Sequence, residues 1–271
     1  MFGTNYLSYD FVQNALMAGS ITAILGSIVG YFVIIRNVGF AAHALAHIGF
    51  AGATGAMLFG MTPLQGMLVI NFLAGTTMGV SGNKVNRSEL AIGMVLSISL
   101  GLGTLFLSLY QGFAGEATSI LFGNIFGVSH AQVLETALLA MLSLSLLALF
   151  SRPLLFASIQ PDLAESRGLS LTFLSTAFMI ILAISVTLVS QVVGTLLVFT
   201  LLIAPAGIAT RLCHSFWKTI FLSLLIGLVA VWSGILLACF TNQPPSFWIT
   251  GILFVLYMIT ELMSRILRWI F

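Results

Sequence analysis

The sequence predicts an all-α, polytopic transmembrane helix bundle, and three observations lead to this fold class. Of 271 residues, 59% are hydrophobic and only 6% are charged, and the mean hydropathy is +1.15, whereas a soluble domain carries roughly 25% charged residues. The apolar runs are about 20 residues long, which a helix needs to cross a bilayer and which a barrel strand does not reach. Finally, the basic residues all fall on one side of the predicted spans.

The order of the spans follows from these apolar runs. Nine segments are candidates, namely 11–35, 40–60, 63–81, 89–110, 131–151, 172–191, 193–211, 215–240 and 246–264. The segment 193–211 contains Gly194, Pro205 and Gly207, so eight full spans plus a broken helix is the alternative. We expect a single transmembrane domain over residues 1–271.

The orientation follows from the basic residues, because loops on the cytoplasmic side are enriched in Lys and Arg. The chain has nine such residues, namely Arg36, Lys84, Arg87, Arg152, Arg167, Arg211, Lys218, Arg265 and Arg268. With nine spans they share one side, while the other side holds Asp10 and Glu116. We therefore expect the N-terminus outside and the C-terminus in the cytoplasm. A net charge of +2 gives no indication of a nucleic-acid partner.

Two linkers are more than turns. Residues 111–130 (QGFAGEATSILFGNIFGVSH) are too many for a hairpin and too apolar for a free loop, and they predict short helical or re-entrant pieces on the outer side. Residues 152–171 (RPLLFASIQPDLAESRGLSL) form the only sizeable cytoplasmic segment. Pro161 favours the start of a short helix there, and this segment is a plausible dock for a soluble partner.

The second span contains an unusual pair of histidines. His43 and His47 lie four residues apart in AAHALAHIGFAGA, so their Cβ atoms share one helix face about 5–6 Å apart. Such a pair can offer two imidazoles to one metal ion, and imidazole suits zinc, copper, nickel and iron. The alternative is two packing residues that hydrogen-bond to neighbouring helices.

The residues around the histidines predict where this helix lies and how a metal site could be completed. Most are alanine or glycine, which let helix backbones approach closely and indicate a central position in the bundle. A structural zinc site takes four ligands. Two copies of the chain related by a two-fold axis could supply two histidines each.

The sequence contains none of the soluble catalytic motifs sought, such as the phosphate loop GxxxxGK[ST]. If transport is driven by ATP, a partner must hydrolyse it. The rival is a proton-coupled secondary transporter in which His43 and His47 relay protons, and a scaffolding subunit is a third possibility. His130, near Glu116 and Glu135, is either a metal-uptake residue or an ordinary interfacial histidine.

Two polar residues lie in or near the predicted spans, Asn71 and Gln191. We expect both to form hydrogen bonds between helices.

Four stretches resemble one known family. They are RNVGFAAHALAHIGFAG, SILFGNIFGVS, SIQPDLAESRGL and VVGTLLVFTLLIAPAGIATRL, and they are similar to segments of the membrane permeases of bacterial ABC importers for zinc and manganese, the metal ABC-3 family. The resemblance implies a multi-pass subunit of the bacterial cytoplasmic membrane that is not an enzyme. It also implies a homodimer, two cytoplasmic ATP-binding subunits, an extracytoplasmic metal-binding protein, and transport by alternating access.

The resemblance also assigns residues. It places the ATPase-coupling helix on Gln160, Pro161, Asp162, Leu163, Ala164, Glu165 and Gly168. It aligns His47 with the family's histidine and His43 with a position that is usually aspartate. Because carboxylate and water suit manganese better than imidazole does, two histidines favour zinc as the transported ion, with manganese or iron as the alternative. No permanently bound cofactor is expected.

Overall fold

The computed structural model describes residues 9–81, 89–110 and 119–270, and within these ranges the chain is helical without a strand. The helices of six or more residues are α1 (Asp10–Ile35), α2 (Gly39–Leu58), α3 (Pro63–Ser81), α4 (Glu89–Leu109), α5 (His130–Ile159), α6 (Pro161–Ser166), α7 (Leu171–Val193), α8 (Thr195–Leu212), α9 (Phe216–Thr241) and α10 (Pro245–Ile270). The predicted all-helical fold class is confirmed. Lys84, Arg87 and Glu116, which entered the orientation argument, lie outside the described residues.

Eight helices of the described chain are long and apolar enough to cross a membrane: α1, α3, α4, α5, α7, α8, α9 and α10. Helix α2 is a ninth long helix of 20 residues, about 30 Å at 1.5 Å per residue. Its two histidines and its many glycines and alanines give it a weaker apolar signal. The alternative of a broken helix within 193–211 does not hold, because α8 runs as one helix through Pro205.

The burial of the spans separates an interior from a periphery. In α1 and α7, 67% and 61% of the apolar span is buried, whereas the value is 17% in both α4 and α10. Exposed apolar side chains such as Ile98 and Phe254 therefore mark the surface that meets lipid. The largest cluster of buried residues lies around α1, α7 and α8.

Helix α2 belongs to the interior, as its small residues predicted. Fourteen of its 20 residues are buried, and it packs against α3, α4, α7 and α8. A Cβ on Gly66 of α3 would collide with the carbonyl oxygen of Gly52, so the backbones of α2 and α3 are in contact. On another side, Phe50 fills the space that a side chain at Gly103 of α4 would need.

Helix α5 is longer than the predicted span 131–151. It continues through Arg152 and Pro153 to Ile159, so the first eight residues of the segment 152–171 are part of it. Leu154 is fully buried one residue after Pro153, so α5 packs against the bundle beyond the proline. The short helix predicted to begin at Pro161 is confirmed as α6.

The outer segment enters the bundle between α1 and the turn that joins α7 to α8. Residues 119–122 are helical and Ile125–Gly127 form a 3₁₀ turn, which confirms the predicted short pieces for this part; residues 111–118 lie outside the described residues. Ile125 is 5% exposed and lies beside Gly19 of α1. The segment is thus packed into the bundle.

Candidate functional site

His43 and His47 lie side by side on α2, as predicted from their spacing. Their ring centroids are 4.7 Å apart and the rings are nearly perpendicular, at 87°. His47 is 6% exposed and His43 is half-buried. His47 is the ninth of 20 residues in α2, so the pair lies close to the middle of the helix.

One nitrogen of each imidazole lacks a hydrogen-bond partner. The Nδ1 atoms of His43 and His47 are buried, and no described residue bonds to either. A buried polar atom left unpaired costs about 1–3 kcal/mol. The packing alternative required hydrogen bonds to neighbouring helices, and the structure provides none to these two atoms. A metal ion is one partner that an unprotonated imidazole nitrogen can take.

The surroundings of the pair are aromatic and uncharged. Phe199 of α8 lies 5.1 Å from the His43 ring, edge to face at 73°. Among the described residues, no group of three or more His, Cys, Asp or Glu side chains comes together. The pair therefore offers two imidazole ligands, which is half of a tetrahedral set.

The opposite side of α2 carries a separate polar contact. Gly49 is 200° around the helix from His47, and it packs against Asn71 of α3. The Asn71 Nδ2 atom donates a hydrogen bond of 2.9 Å to Thr187 Oγ1 of α7, so the helix–helix hydrogen bond expected for Asn71 is confirmed. Asn71 is therefore placed to hold α3 and α7 together, behind the histidines.

The residues assigned to coupling form an exposed surface around α6. Gln160, Pro161, Asp162, Leu163, Glu165 and Gly168 are exposed, and Ala164 is fully buried. Gly168 has φ +82, and its N–H donates to the Glu165 carbonyl, 2.9 Å away. This turn ends the helix and leaves one face of α6 open on the predicted cytoplasmic side.

Arg36 connects this surface to the end of α1. It lies between α1 and α2, its Nη1 donates to Ser158 Oγ at 3.4 Å, and its guanidinium carbon is 5.3 Å from the Phe178 ring centroid. Burial lowers the pKa of Arg36 from its usual value. Arg36 and Glu165 line one cavity of about 360 Å³, so α6 and the end of α1 border the same space.

Sequence reasoning missed a second polar cavity, on the outer side. It has a volume of about 470 Å³ and includes Glu135, Ser190 and Gln191 in its lining. The Oε1 atom of Gln191 has no partner among the described residues, in contrast with the helix–helix hydrogen bond expected for this residue. The sequence does contain a signal for this cavity, because Ser190 and Gln191 are adjacent polar residues in the apolar run SVTLVSQVVG. His130 is exposed at the start of α5 and is not part of this lining.

Comparison with known proteins gives a consistent result. The family model described as ABC 3 transport family matches residues 8–264. The manganese transport system membrane protein MntC of Listeria monocytogenes is 30% identical over 239 residues, covering 87% of this chain and 84% of that protein. The probable iron transport system membrane protein of Haemophilus influenzae is 27% identical over 233 residues, covering 86% of each.

Two solved structures share the fold. PsaBC from Streptococcus pneumoniae in complex with Fab superimposes with a TM-score of 0.84 at 27% identity, covering 94% of this chain and 92% of that one. An inward-facing putative metal-chelate type ABC transporter gives a TM-score of 0.68 at 14% identity, covering 96% and 90%. The second likeness concerns the fold alone.

Proposed function

The chain belongs to the ABC 3 transport family, and on that premise we propose that His43 and His47 hold the metal ion that it transports, with zinc as the preferred ion. The chain is the membrane permease of a metal ABC importer. It is not itself an enzyme, because ATP hydrolysis belongs to a separate subunit of such importers. It is a multi-pass protein of the bacterial inner membrane.

The observation that carries the proposal is the pair of buried, unpartnered imidazole nitrogens at mid-helix. Ionisable side chains inside a membrane are costly and mark pathways for ions. The preference for zinc rests on the donor set, since imidazole suits zinc while manganese prefers carboxylate, carbonyl and water oxygens. The two imidazole rings contact each other, and the His43 ring also contacts Phe199. Neither contact involves a carboxylate.

A second copy of the chain completes the site in this proposal. One chain supplies two imidazoles, and a two-fold axis beside α2 would bring two more from the partner, giving four nitrogen ligands. The same arrangement explains why no third ligand of the described chain approaches the pair.

Manganese is the second candidate, and the relatives favour it. MntC of Listeria monocytogenes is named for manganese transport, and the Haemophilus influenzae relative is named for iron. In that case His43 and His47 would supply nitrogen ligands, and water or backbone carbonyl oxygens would complete a larger coordination shell.

Coupling to ATP hydrolysis would pass through α6. We assign its exposed face to contact with a cytoplasmic ATP-binding subunit, and the outer face of the dimer to an extracytoplasmic metal-binding protein. A displacement of α6 changes the cavity that Glu165 and Arg36 share. Arg36 directly follows α1, and only two residues separate it from the start of α2 at Gly39. A movement of Arg36 would therefore shift the start of the helix that holds the metal and alternate its access between the two sides.

The test is metal binding by the purified permease with its ATPase partner in lipid nanodiscs, with zinc and manganese titrated separately. We expect about one zinc ion per dimer, with binding weakened about 100-fold or more in His43→Ala and in His47→Ala. His214→Ala is the control, since His214 is exposed at the cytoplasmic end of α8. Equal zinc binding by all four proteins would refute the assignment of the histidines.

Two further comparisons separate the alternatives. If the native protein binds manganese more tightly than zinc, manganese becomes the proposed transported ion in place of zinc. Metal uptake into proteoliposomes that needs a proton gradient and continues without ATP would support the secondary transporter in place of the importer.

A further inference from the structure

Phe199 of α8 packs its ring on the imidazole of His43. The two ring centroids are 5.1 Å apart, and the ring planes meet at 73°. His43 is also edge to face with His47, at 4.7 Å and 87°. Three aromatic rings therefore follow one another, and His43 is the one that contacts both of the others.

The position of Phe199 is set by the way α8 runs along α2. Near the start of α2, Ile203 reaches Gly39, because a Cβ on this glycine would lie 3.3 Å from Ile203 Cδ1. The contacts Gly39–Ile203 and His43–Phe199 are four residues apart on each helix and follow in opposite order. The two helices are therefore antiparallel, and residues of one face on each meet over a full turn. The packing of two helices, rather than a loop, thus places Phe199 against His43.

A histidine that binds a metal ion needs a neighbour that fixes the orientation of its ring. The usual neighbour is a carboxylate or a backbone carbonyl that accepts a hydrogen bond from the second ring nitrogen. In the described part of the chain, the Nδ1 atoms of His43 and His47 have no hydrogen-bond partner. The ring contacts are left to orient the His43 imidazole.

His43 is the member of the pair that needs this support more. His47 is 6% exposed and is enclosed by the surrounding helices, whereas His43 is half-buried and borders open space. Phe199, at 40% exposure, lies on the more open side. Aromatic rings prefer edge-to-face and offset arrangements, so the phenyl ring restricts the rotation of the imidazole about its χ2 angle.

We propose that Phe199 is a positioning residue for metal binding: its ring holds the His43 imidazole in the orientation in which it joins His47 at the transported ion. The inference rests on the proposed function, since it concerns the same site. It requires an aromatic ring at position 199, and an apolar side chain of another shape does not replace it.

The experiment measures zinc affinity and the Co²⁺ spectrum of the permease with its ATPase partner in lipid nanodiscs. Phe199→Leu keeps an apolar side chain without the ring, and Phe199→Tyr keeps the ring. We expect Phe199→Leu to weaken zinc binding about two- to tenfold, the loss of one aromatic pair, and Phe199→Tyr to bind like the native protein. The d–d absorption of Co²⁺, which substitutes for Zn²⁺ and reports the geometry of its ligands, should change only in Phe199→Leu.

Phe72→Leu is the matched control. Phe72 is 48% exposed on α3, and α3 packs against Gly52 of α2, about 180° around that helix from His43. This variant should leave the zinc affinity and the Co²⁺ spectrum unchanged. Phe199→Met provides a second variant without a ring if Phe199→Leu lowers the thermal stability.

Native zinc affinity with an unchanged Co²⁺ spectrum in Phe199→Leu would overturn the proposal. Equal losses in Phe199→Leu and Phe199→Tyr would do the same, because the ring would then not be the feature that matters. Failure of the proposed function gives a different pattern, in which His43→Ala and His47→Ala also bind zinc like the native protein. If His43→Ala loses zinc while Phe199→Leu retains it, the metal site stands and only the role of Phe199 is wrong.

Discussion

Gly123 and Gly194 meet backbone to backbone where the outer segment crosses the turn between α7 and α8. Both have positive φ angles, +79 and +86, and a Cβ on either one would collide with the main chain around the other. The two residues belong to separate motifs, SILFG and VVGTLL. Their contact fixes the outer segment against the start of α8, the helix that carries Phe199.

Replacing Gly194 by alanine should destabilise the permease more than a positive φ alone can explain. The conformation costs a non-glycine residue about 1–3 kcal/mol, and the collision with Gly123 adds to that. Gly60→Ala is the control, since Gly60 has φ +69 and open space around it. Thermal unfolding in detergent should show a clearly larger loss for Gly194→Ala, and equal losses would contradict the contact.

Zinc binding should weaken as the pH is lowered from about 7.5 to about 5.5. A metal binds the neutral imidazole, so protons compete with it, and each histidine adds up to about a tenfold loss of affinity per pH unit below its pKa. Zinc titrations at several pH values measure the slope. His43→Asp exchanges an imidazole for a more acidic ligand and should flatten it; an unchanged slope would mean that His43 does not bind the ion.

Changing Leu163 to aspartate should impair the interaction with the ATP-binding subunit and leave the fold intact. Leu163 is 44% exposed on α6, and an apolar residue at the centre of an interface can contribute about 2 kcal/mol or more, a loss of about 30-fold or greater in affinity. Leu212→Asp is the control, with a leucine of 49% exposure at the end of α8. Co-purification of the ATPase and its stimulation by metal are the measurements. If both variants retain the ATPase equally, Leu163 is not part of the interface.

The Asn71–Thr187 hydrogen bond should contribute measurably to stability. Hydrogen bonds between membrane helices average about 0.6 kcal/mol, with a maximum near 1.7. A double-mutant cycle with Asn71→Ala and Thr187→Val should give a coupling energy in this range from unfolding in detergent. A coupling of zero would show that the bond does not hold α3 to α7 in the membrane protein.

Where the sequence predicted correctly, a strong local signal was present. The apolar runs located the long helices, and the four-residue spacing placed His43 and His47 on one face. Pro161 located the start of α6. In each case the responsible interaction is local, within one or two helical turns, and can be read from neighbouring residues.

Predictions failed where packing across the bundle decided the result. The apolar run predicted a span over 131–151, but α5 continues through Arg152 and Pro153 to Ile159, with Leu154 buried in the bundle. Gln191 was expected to bond to another helix, and its unpaired Oε1 instead borders a cavity that residues from four parts of the chain enclose. Such a cavity depends on contacts between distant residues, which periodicity and motifs do not contain.

The length of α5 has a mechanical consequence. Its 30 residues extend about 45 Å, whereas the hydrocarbon core is about 30 Å thick, so roughly 15 Å of the helix lies beyond the apolar layer. Its first turns line the outer cavity through Glu135, and its last turn leads through Gln160 into α6. One helix thus joins the lining of the outer cavity to the surface around α6, along a path that does not include the histidine-bearing α2.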